Sequence, residues 1–262
     1  MMIPNEITQV VHMLQSVMKD MLTGIYLHGS LAMGCYHPEG SDIDLLIVVK
    51  QPLTSTMART IVERVLEVEQ GMEGHRGFEF SVVHEQALRP FQHPLPYELH
   101  YSAYHRGRYE NEPGYRCGPG VDQDLAAHVM VALERGMCLY GEPLLHFSDS
   151  VPREAYVDAL IYDIEHAATE IVTEPVYIVL NLCRVLQYLQ DGAVSSKREG
   201  GQWGIVHVQD IYHGLIKDCL HAYDHGEDQL SLDKEQATSF ARYMLTEIHR
   251  LIEEQRVDEG EV

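Results

Sequence analysis

Two aspartates in the first fifth of the chain have the spacing of a metal-ion site. Asp42 and Asp44 are separated by one residue and open an apolar run that ends at Val49. If this run is a β-strand, both side chains project from one face, with their Cα atoms about 6.6 Å apart. Carboxylate oxygens at this spacing suit Mg²⁺, which takes one or two carboxylates together with phosphate oxygens and water. The pair therefore predicts a Mg²⁺ site beside a phosphate chain.

A glycine and a serine precede this pair. Gly29 and Ser30 follow the β-rich run Ile25 to His28, and eleven residues separate Ser30 from Asp42. Because Gly29 has no side chain, a phosphate can approach its backbone N–H, and the Ser30 hydroxyl adds a second donor. We therefore expect this turn to contact the phosphates that accompany the metal ion.

A third carboxylate, Glu79, lies in a further β-rich run between Phe78 and Phe80. Strand alternation places Glu79 on the face opposite the two phenylalanines. If this strand lies beside the strand of the aspartates, Glu79 either completes the metal site or acts as a general base on a substrate hydroxyl. A purely structural interpretation is also open, in which Ser41 and Asp42 form a turn and Glu79 is a solvated strand residue.

The elements around these residues predict the architecture of the first half of the chain. The order helix, strand, strand, helix, strand favours a mixed α/β sheet. The proline-rich residues 88–119 predict an irregular segment with one short helix. The predicted elements are a helix over Asn5–Leu22, strands over Ile25–His28, Asp42–Val49 and Phe78–Val83, and helices over Thr54–Glu69, Tyr97–His105 and Asp122–Leu139.

The pattern changes after Pro152, where only helical periods remain. They run over about Arg153–Thr173, Pro175–Gln190, His207–Tyr223 and Asp233–Glu254. Successive helices with short connections are typical of an antiparallel bundle. We therefore predict an α+β domain with a small mixed sheet over residues 1–150 and an all-α helical bundle domain over residues 151–262.

The charge of the chain restricts its partners. Forty acidic residues against 19 basic ones give a formal net charge of -21. A nucleic-acid backbone would be repelled, whereas a cationic small molecule would be attracted to acidic clefts, although acidity also serves solubility alone. The sequence has no apolar run of membrane-spanning length and no signal-peptide pattern. We expect a cytoplasmic monomer that binds a cationic small molecule and neither nucleic acid nor a membrane.

The motif of the first domain resembles that of a known superfamily. Gly29-Ser30, the pair Asp42 and Asp44, and Glu79 on a later strand are similar to the nucleotidyltransferase superfamily, which includes DNA polymerase beta and the antibiotic nucleotidyltransferases. The resemblance implies that the glycine-serine turn binds the nucleotide phosphates and that the two aspartates hold Mg²⁺.

The second domain contains a helix with one polar stripe. Tyr177, Asn181 and Arg184 fall within a narrow arc that begins at Glu174, whereas most other positions of the helix are apolar. Lys197 follows in a loop or short helix. Arg184 and Lys197 therefore supply two cations, which either contact phosphate groups or form ordinary salt bridges.

This helix and the chain that follows it, with Trp203 and Tyr223, are similar to the C-terminal domain of the spectinomycin and streptomycin adenylyltransferases. The resemblance then covers almost the whole chain. It implies triphosphate contacts for Arg184 and Lys197 and a nucleotide contact for Tyr223.

The same resemblance indicates which residues contact the acceptor substrate. Glu174 stands where the family has an acidic residue that contacts the aminoglycoside, and Tyr177 and Asn181 continue the polar stripe from it. Tyr104 stands where streptomycin-modifying members have a tryptophan. Because of this tyrosine, and because Glu174 replaces the usual aspartate, spectinomycin is favoured over streptomycin.

The reaction implied by the resemblance is a Mg²⁺-dependent transfer of AMP from ATP to a hydroxyl of an aminoglycoside or aminocyclitol, with release of pyrophosphate. Glu79 would be the catalytic base, and Asp42 and Asp44 would be the catalytic metal ligands. Two alternatives are a nucleotidyltransferase that acts on a protein or another small molecule, and a non-catalytic nucleotide-binding relative.

Overall fold

A computed structural model describes residues 4–72, 74–112, 114–227 and 230–260 of the chain. By packing, the chain divides into two compact units, Met1–Ala159 and Leu160–Val262. The division falls inside the helix Arg153–Asp163, whereas the sequence pattern places the domain boundary at residue 150.

The first unit is built on a six-stranded sheet. Its strands in chain order are β1 (Leu22–His28), β2 (Ile43–Val49), β3 (Phe78–His84), β4 (Leu95–Tyr101), β5 (Gly120–Asp122) and β6 (Met137–Gly141). Across the sheet the order is β5-β4-β3-β2-β1-β6. All neighbours are antiparallel except β2 and β3, which are parallel. The predicted mixed sheet is therefore confirmed, and its three predicted strands correspond to β1, β2 and β3.

Helices cover the sheet and connect the parallel pair. They are α1 (Asn5–Met18), α2 (Gly29–Ala32), α3 (Ser55–Glu69), α4 (Glu85–Leu88), α5 (Ala103–Asn111), α6 (Leu125–Arg135) and α7 (Arg153–Asp163). Parallel neighbours need a crossover connection, and α3 supplies it between β2 and β3. Thr54 caps the start of α3, because its hydroxyl accepts a hydrogen bond from the backbone N–H of Met57 at 3.2 Å.

Alternation along β1, β2 and β3 gives the sheet two different faces. Ile25, Leu45 and Phe80 belong to a hydrophobic core that also contains apolar side chains of α1 and α3. The residues that alternate with them along each strand lie on the opposite face, where α6 packs against β1 and β2. One face therefore stabilises the unit, and the other can carry polar residues.

The predicted helix over Tyr97–His105 is wrong. Leu95–Tyr101 form β4, which pairs with β3, and the following helix α5 begins only at Ala103. Leu95, Leu99 and Tyr101 are fully buried. For such a short stretch, pairing with a neighbouring strand decides between helix and strand, and the local pattern does not reveal that neighbour.

The helix predicted over Asp122–Leu139 is shorter than expected. It corresponds to α6, which Gly136 ends in an extended conformation. The chain then forms β6, an edge strand that pairs with β1. The end of the predicted helix is again overruled by strand pairing.

Among its described residues, the second unit contains helices and their connecting loops, and no β-strand. After the end of α7, it contains α8 (Ala167–Glu170), α9 (Pro175–Asp191), α10 (Lys197–His207), α11 (His213–Asp224) and α12 (Lys234–Gly260). Helices α10, α11 and α12 each pack against α9. Throughout the ranges that the structure describes, every helix is too short or too polar to span a lipid bilayer.

A buried carboxylate anchors the start of β3. Glu69, at the end of α3, accepts hydrogen bonds from the backbone N–H of Phe78 at 2.7 Å and from the Tyr101 hydroxyl at 2.5 Å. Its Oε2 atom also lies 3.1 Å from Nε of Arg106. A Cβ on Gly77, whose φ is +98°, would overlap both Glu69 and Arg106. Gly77 therefore leaves the space in which this buried ion pair forms.

We expect Gly77→Ala to lower the free energy of unfolding by about 3 kcal/mol or more, because it combines backbone strain with disruption of a buried ion pair. The matched control is Gly114→Ala, since Gly114 has a φ of +91° with open space around its Cβ position. The control should lose only about 1 kcal/mol. Urea denaturation measures both values, and equal losses would contradict the role of the Glu69 ion pair.

Candidate active site

The three central strands align two carboxylates and a histidine. Asp44 on β2 lies opposite His28 on β1 and beside Glu79 on β3. Register partners share one face of a sheet, so the three side chains form a row on the face that α6 covers. Asp42 lies just before β2 begins. The strand of Glu79 therefore lies beside the strand of Asp44, which is the condition under which Glu79 joins the two aspartates.

The turn after β1 brings the backbone against one of these carboxylates. Gly29 has a φ of +64°, in the left-handed region that favours glycine. A Cβ on Gly29 would overlap Oδ2 and Cγ of Asp44. The glycine therefore satisfies two requirements, the backbone conformation of the turn and close contact with the Asp44 carboxylate.

Ser30 follows in the same turn and holds an unsatisfied hydroxyl. Its Oγ atom is buried, and no hydrogen-bond partner lies near it among residues 4–72, 74–112, 114–227 and 230–260. Buried hydroxyls in folded proteins are normally hydrogen-bonded. A phosphate oxygen in this turn would satisfy the Ser30 hydroxyl.

The donor set fits the Mg²⁺ ion that the sequence predicts. Asp42 and Asp44 offer hard oxygen ligands. Burial raises the pKa of Tyr36 nearby, and the charges of Asp42 and Asp44 add to this shift. The described part of the chain has no group of three or more His, Cys, Asp or Glu side chains arranged to hold a metal ion. Mg²⁺ bound by the two aspartates would therefore complete its coordination with phosphate oxygens and water.

A pair of histidines beside the carboxylate row was not predicted. The ring of His128 on α6 lies edge-on to the ring of His28, with 5.1 Å between the centroids. His128 Nε2 lies 3.0 Å from Oδ2 of Asp124. Position 128 carries no local signal in the sequence, because only the packing of α6 on the sheet brings it to the row.

The two histidines differ in charge. Burial, together with His128, lowers the pKa of His28 well below its usual value. Burial also lowers the pKa of His128, but the charge and hydrogen bond of Asp124, with smaller contributions from Glu79 and Asp44, raise it to about 10. At neutral pH these pKa shifts favour the imidazolium form of His128 beside the carboxylates and the neutral form of His28 next to it.

The second unit gathers the polar stripe of α9 around one carboxylate. Asp163, the last residue of α7, accepts hydrogen bonds from the Tyr177 hydroxyl at 2.5 Å and from the side-chain amide of Asn181. Arg184 donates to the same carboxylate at 3.3 Å. The predicted stripe is therefore brought together, but around an aspartate that the helical pattern of α9 does not contain.

Lys197 joins this cluster through an aromatic ring. Its Nζ atom lies 4.0 Å from the centroid of the Tyr177 ring. Lys197 is the first residue of α10, whose start is fixed by a capping box between Ser196 and Glu199. The predicted loop or short helix at Lys197 is therefore the first turn of an eleven-residue helix.

Glycines let α10 approach the stripe closely. A Cβ on Gly200 would lie 2.8 Å from Cα of Arg184, and one on Gly204 would lie 2.7 Å from Sγ of Cys183. Glycine in a helix interior costs about 1 kcal/mol relative to alanine. The close packing that these glycines permit sets the distance between the helices that carry Arg184 and Lys197.

One predicted substrate contact needs correction. Asn181 is completely buried, and its amide donates to Asp163. A side chain in this position holds Asp163 and is not accessible to an acceptor substrate. Asn181 is therefore polar because its amide satisfies the partly buried carboxylate of Asp163.

The other predicted site residues occupy more accessible positions. Glu174 is the exposed N-cap residue of α9, and Tyr177 is 36% exposed. Tyr104 on α5 is 86% exposed and contacts the ring of His105. Tyr223 is partly exposed near the end of α11. Their functions are taken up under the proposed function.

Comparisons with known proteins agree with this organisation. Residues 13–92 match the family model of the nucleotidyltransferase domain, and residues 147–247 match that of the aminoglycoside adenylyltransferase C-terminal domain. Over 252 residues the chain is 22% identical to spectinomycin 9-adenylyltransferase from Campylobacter jejuni, covering 95% of this chain and 96% of the relative. Over 255 residues it is 24% identical to aminoglycoside (3'') (9) adenylyltransferase from Klebsiella pneumoniae, with 95% and 96% covered.

A solved structure shares the fold. The spectinomycin adenyltransferase AAD(9) from Enterococcus faecalis, crystallised with ATP and spectinomycin, superimposes with a TM-score of 0.80 at 20% identity, covering 94% of this chain and 98% of that one. The domain match and the carboxylate row define the chain as a nucleotidyltransferase. More particularly, the chain combines this domain with a C-terminal domain that matches that of the aminoglycoside adenylyltransferases.

We expect Gly29→Ala to lower the rate of nucleotidyl transfer at least about 100-fold, because the new methyl group displaces Asp44 from its position. The matched control is Gly34→Ala, since Gly34 has a φ of +73° with open space around its Cβ position. The control should lose about 1 kcal/mol of stability but keep its rate. A stopped assay of pyrophosphate release separates the two, and similar rates for both variants would count against the contact with Asp44.

The charge of His128 predicts a pH dependence of stability. The unfolded chain releases this proton near pH 6.5 and the folded chain near pH 10. Protonation therefore stabilises the fold fully below about pH 6.5, and the stabilisation is lost as the pH rises through about 10. In metal-free buffer, the free energy of unfolding of the wild type should fall more steeply between about pH 7 and 10 than that of His128→Gln.

The control for this measurement is His12→Gln, since His12 is exposed on α1. Its stability should change with pH as that of the wild type does. Chemical denaturation at a series of pH values measures all three proteins. Parallel curves for the wild type and His128→Gln would show that the folded protein does not hold this proton.

Proposed function

We propose that this protein transfers AMP from ATP to a hydroxyl group of an aminocyclitol or aminoglycoside, with spectinomycin as the preferred acceptor and pyrophosphate as the second product. The observation that carries the proposal is the carboxylate row, in which Asp44 contacts Gly29 on one side and neighbours Glu79 on the other. The residues that this proposal assigns as metal ligand, phosphate turn and base therefore lie on or directly after three adjacent strands.

Glu79 acts in this proposal as the general base. Its carboxylate takes the proton of the acceptor hydroxyl as the hydroxyl oxygen bonds to the α-phosphorus of ATP. The bond between the α-phosphorus and the oxygen that bridges it to the β-phosphorus breaks, and pyrophosphate carries that electron pair away. Asp42 and Asp44 would hold Mg²⁺, which when bound would supply positive charge to offset that of the phosphate oxygens.

Other residues are assigned to the nucleotide. The Ser30 hydroxyl and the backbone N–H of Gly29 donate to phosphate oxygens. Arg184 and Lys197 supply positive charge to the triphosphate, and Tyr223 contacts the nucleoside. The buried, unsatisfied hydroxyl of Ser30 supports the first of these assignments.

The acceptor is expected to be cationic. The exposed carboxylate of Glu174 can attract an ammonium group, as can the overall charge of -21. Tyr177 and Tyr104 offer exposed aromatic surface for the ring system. Spectinomycin stands in the name of the Campylobacter jejuni relative and in that of the structural neighbour, which supports it as the acceptor to test first.

We expect Glu79→Gln to bind ATP normally and to lose transfer by about 10²- to 10⁴-fold, because the base is removed and the phosphate contacts remain. Asp44→Asn should lose transfer by a similar factor and should also need more Mg²⁺. The control Glu63→Gln removes a carboxylate from an exposed ion pair with Arg59 and should leave the rate within about twofold.

The assay follows label from α-labelled ATP into spectinomycin, streptomycin and other aminoglycosides. The expected result is labelled spectinomycin, with less product or none from streptomycin. Labelled protein with no labelled antibiotic would redirect the proposal to a protein acceptor. Tight ATP binding without label on any acceptor would indicate a non-catalytic nucleotide-binding protein.

A further inference from the structure

We propose that the carboxylate of Asp163 fixes Arg184 and Lys197 in the arrangement that receives the ATP triphosphate, so that Asp163 controls ATP affinity without contacting the nucleotide. This inference rests on the proposed function, which assigns the two cations to the triphosphate. Asp163 is in this sense a positioning residue. No other residue in the described part of the chain is hydrogen-bonded to Tyr177, Asn181 and Arg184 together.

Asp163 is hydrogen-bonded directly to Arg184. Oδ2 of Asp163 accepts from a terminal guanidinium nitrogen of Arg184 at 3.3 Å, and the two side chains are only 18% and 20% exposed. An ion pair shielded from water to this degree restricts the arginine far more than an exposed pair does. A guanidinium carries five N–H donors, so one bond to Asp163 is compatible with a phosphate bound through others.

Asp163 also acts on Lys197, through the ring of Tyr177. Oδ1 of Asp163 accepts the Tyr177 hydroxyl at 2.5 Å, which fixes the orientation of the phenol. The face of that ring lies 4.0 Å from Nζ of Lys197. The ammonium is attracted to the ring face, so an oriented ring holds the lysine in turn. The two oxygens of one carboxylate thus act on both cations.

Replacing the Asp163 carboxylate by an uncharged group would affect both Asn181 and Arg184. Asn181 is completely buried and gives its amide to Asp163. A partner without charge would leave Arg184 with a weaker acceptor and would also disturb the amide of Asn181. Asp163 is therefore suited to keeping the side chains of the polar stripe ordered before ATP binds. Side chains that are already ordered lose less conformational entropy when ATP binds.

The test compares Asp163→Asn with Asp224→Asn. Asp224 also lies in the second unit and pairs with an arginine, Arg198, at 2.7 Å. Isothermal titration with ATP and with AMP, both in Mg²⁺, measures the affinities. We expect Asp163→Asn to weaken ATP about tenfold, the loss of one charged hydrogen bond, and to change AMP less than twofold. Asp224→Asn should change neither.

A double-mutant cycle with Arg184→Gln connects the effect to the arginine. If Asp163 acts through Arg184, much of the loss caused by Asp163→Asn should disappear in the Arg184→Gln background. Unchanged or tighter ATP binding by Asp163→Asn would overturn the inference, because Asp163 would then only repel phosphate. Full ATP affinity in Arg184→Gln alone would instead refute the assignment of Arg184 in the proposed function.

A second variant covers the case in which Asp163→Asn does not fold. Tyr177→Phe removes only the hydroxyl that donates to Asp163 and keeps the ring beneath Lys197. We expect it to fold and to weaken ATP about threefold with AMP unchanged, since the loss is one neutral donor. Equal weakening of ATP and AMP would contradict a role in holding the triphosphate cations.

Discussion

The carboxylate of Asp44 packs directly against the backbone of Gly29, and the first unit is arranged so that this contact can form. β1 has to end at His28 in register with Asp44, and the chain has to turn where no side chain stands. The same register places Glu79 beside Asp44 on the parallel strand. Carboxylates brought this close repel one another, and the imidazolium of His128 offsets part of that repulsion before a metal ion binds.

The second unit uses a carboxylate in the opposite way. In the proposed function Asp44 shares its charge with a Mg²⁺ ion, whereas Asp163 is surrounded by donors from the chain itself. Close packing at Gly200 brings the backbone of α10 against Arg184, and Lys197 begins that helix. In both units a glycine removes a side chain at the point where two segments must approach, and a partly buried aspartate lies among the polar atoms nearby.

Patterns within short stretches of sequence predicted the structure correctly where each face of a strand or helix has a single environment, either apolar core or polar surroundings. Alternation in β1, β2 and β3 separated Asp44 and Glu79 from the core, and helical spacing found the stripe of Tyr177 and Arg184. The same reasoning failed for β4, where seven residues fit either a helix or a strand and only pairing with β3 decides. It also took Asn181 for a substrate contact, because polarity alone does not distinguish an accessible residue from a buried one.

The sequence by itself determined the chemistry of this protein, since the residue types and spacings of Gly29, Asp42, Asp44 and Glu79 are local properties of strands and turns. Only the tertiary structure decided which groups surround those residues. His128 reaches His28, and Asp163 reaches Arg184, through contacts between distant segments. Local periodicity specifies which face of an element is polar, but the partner on the other side depends on how the elements pack.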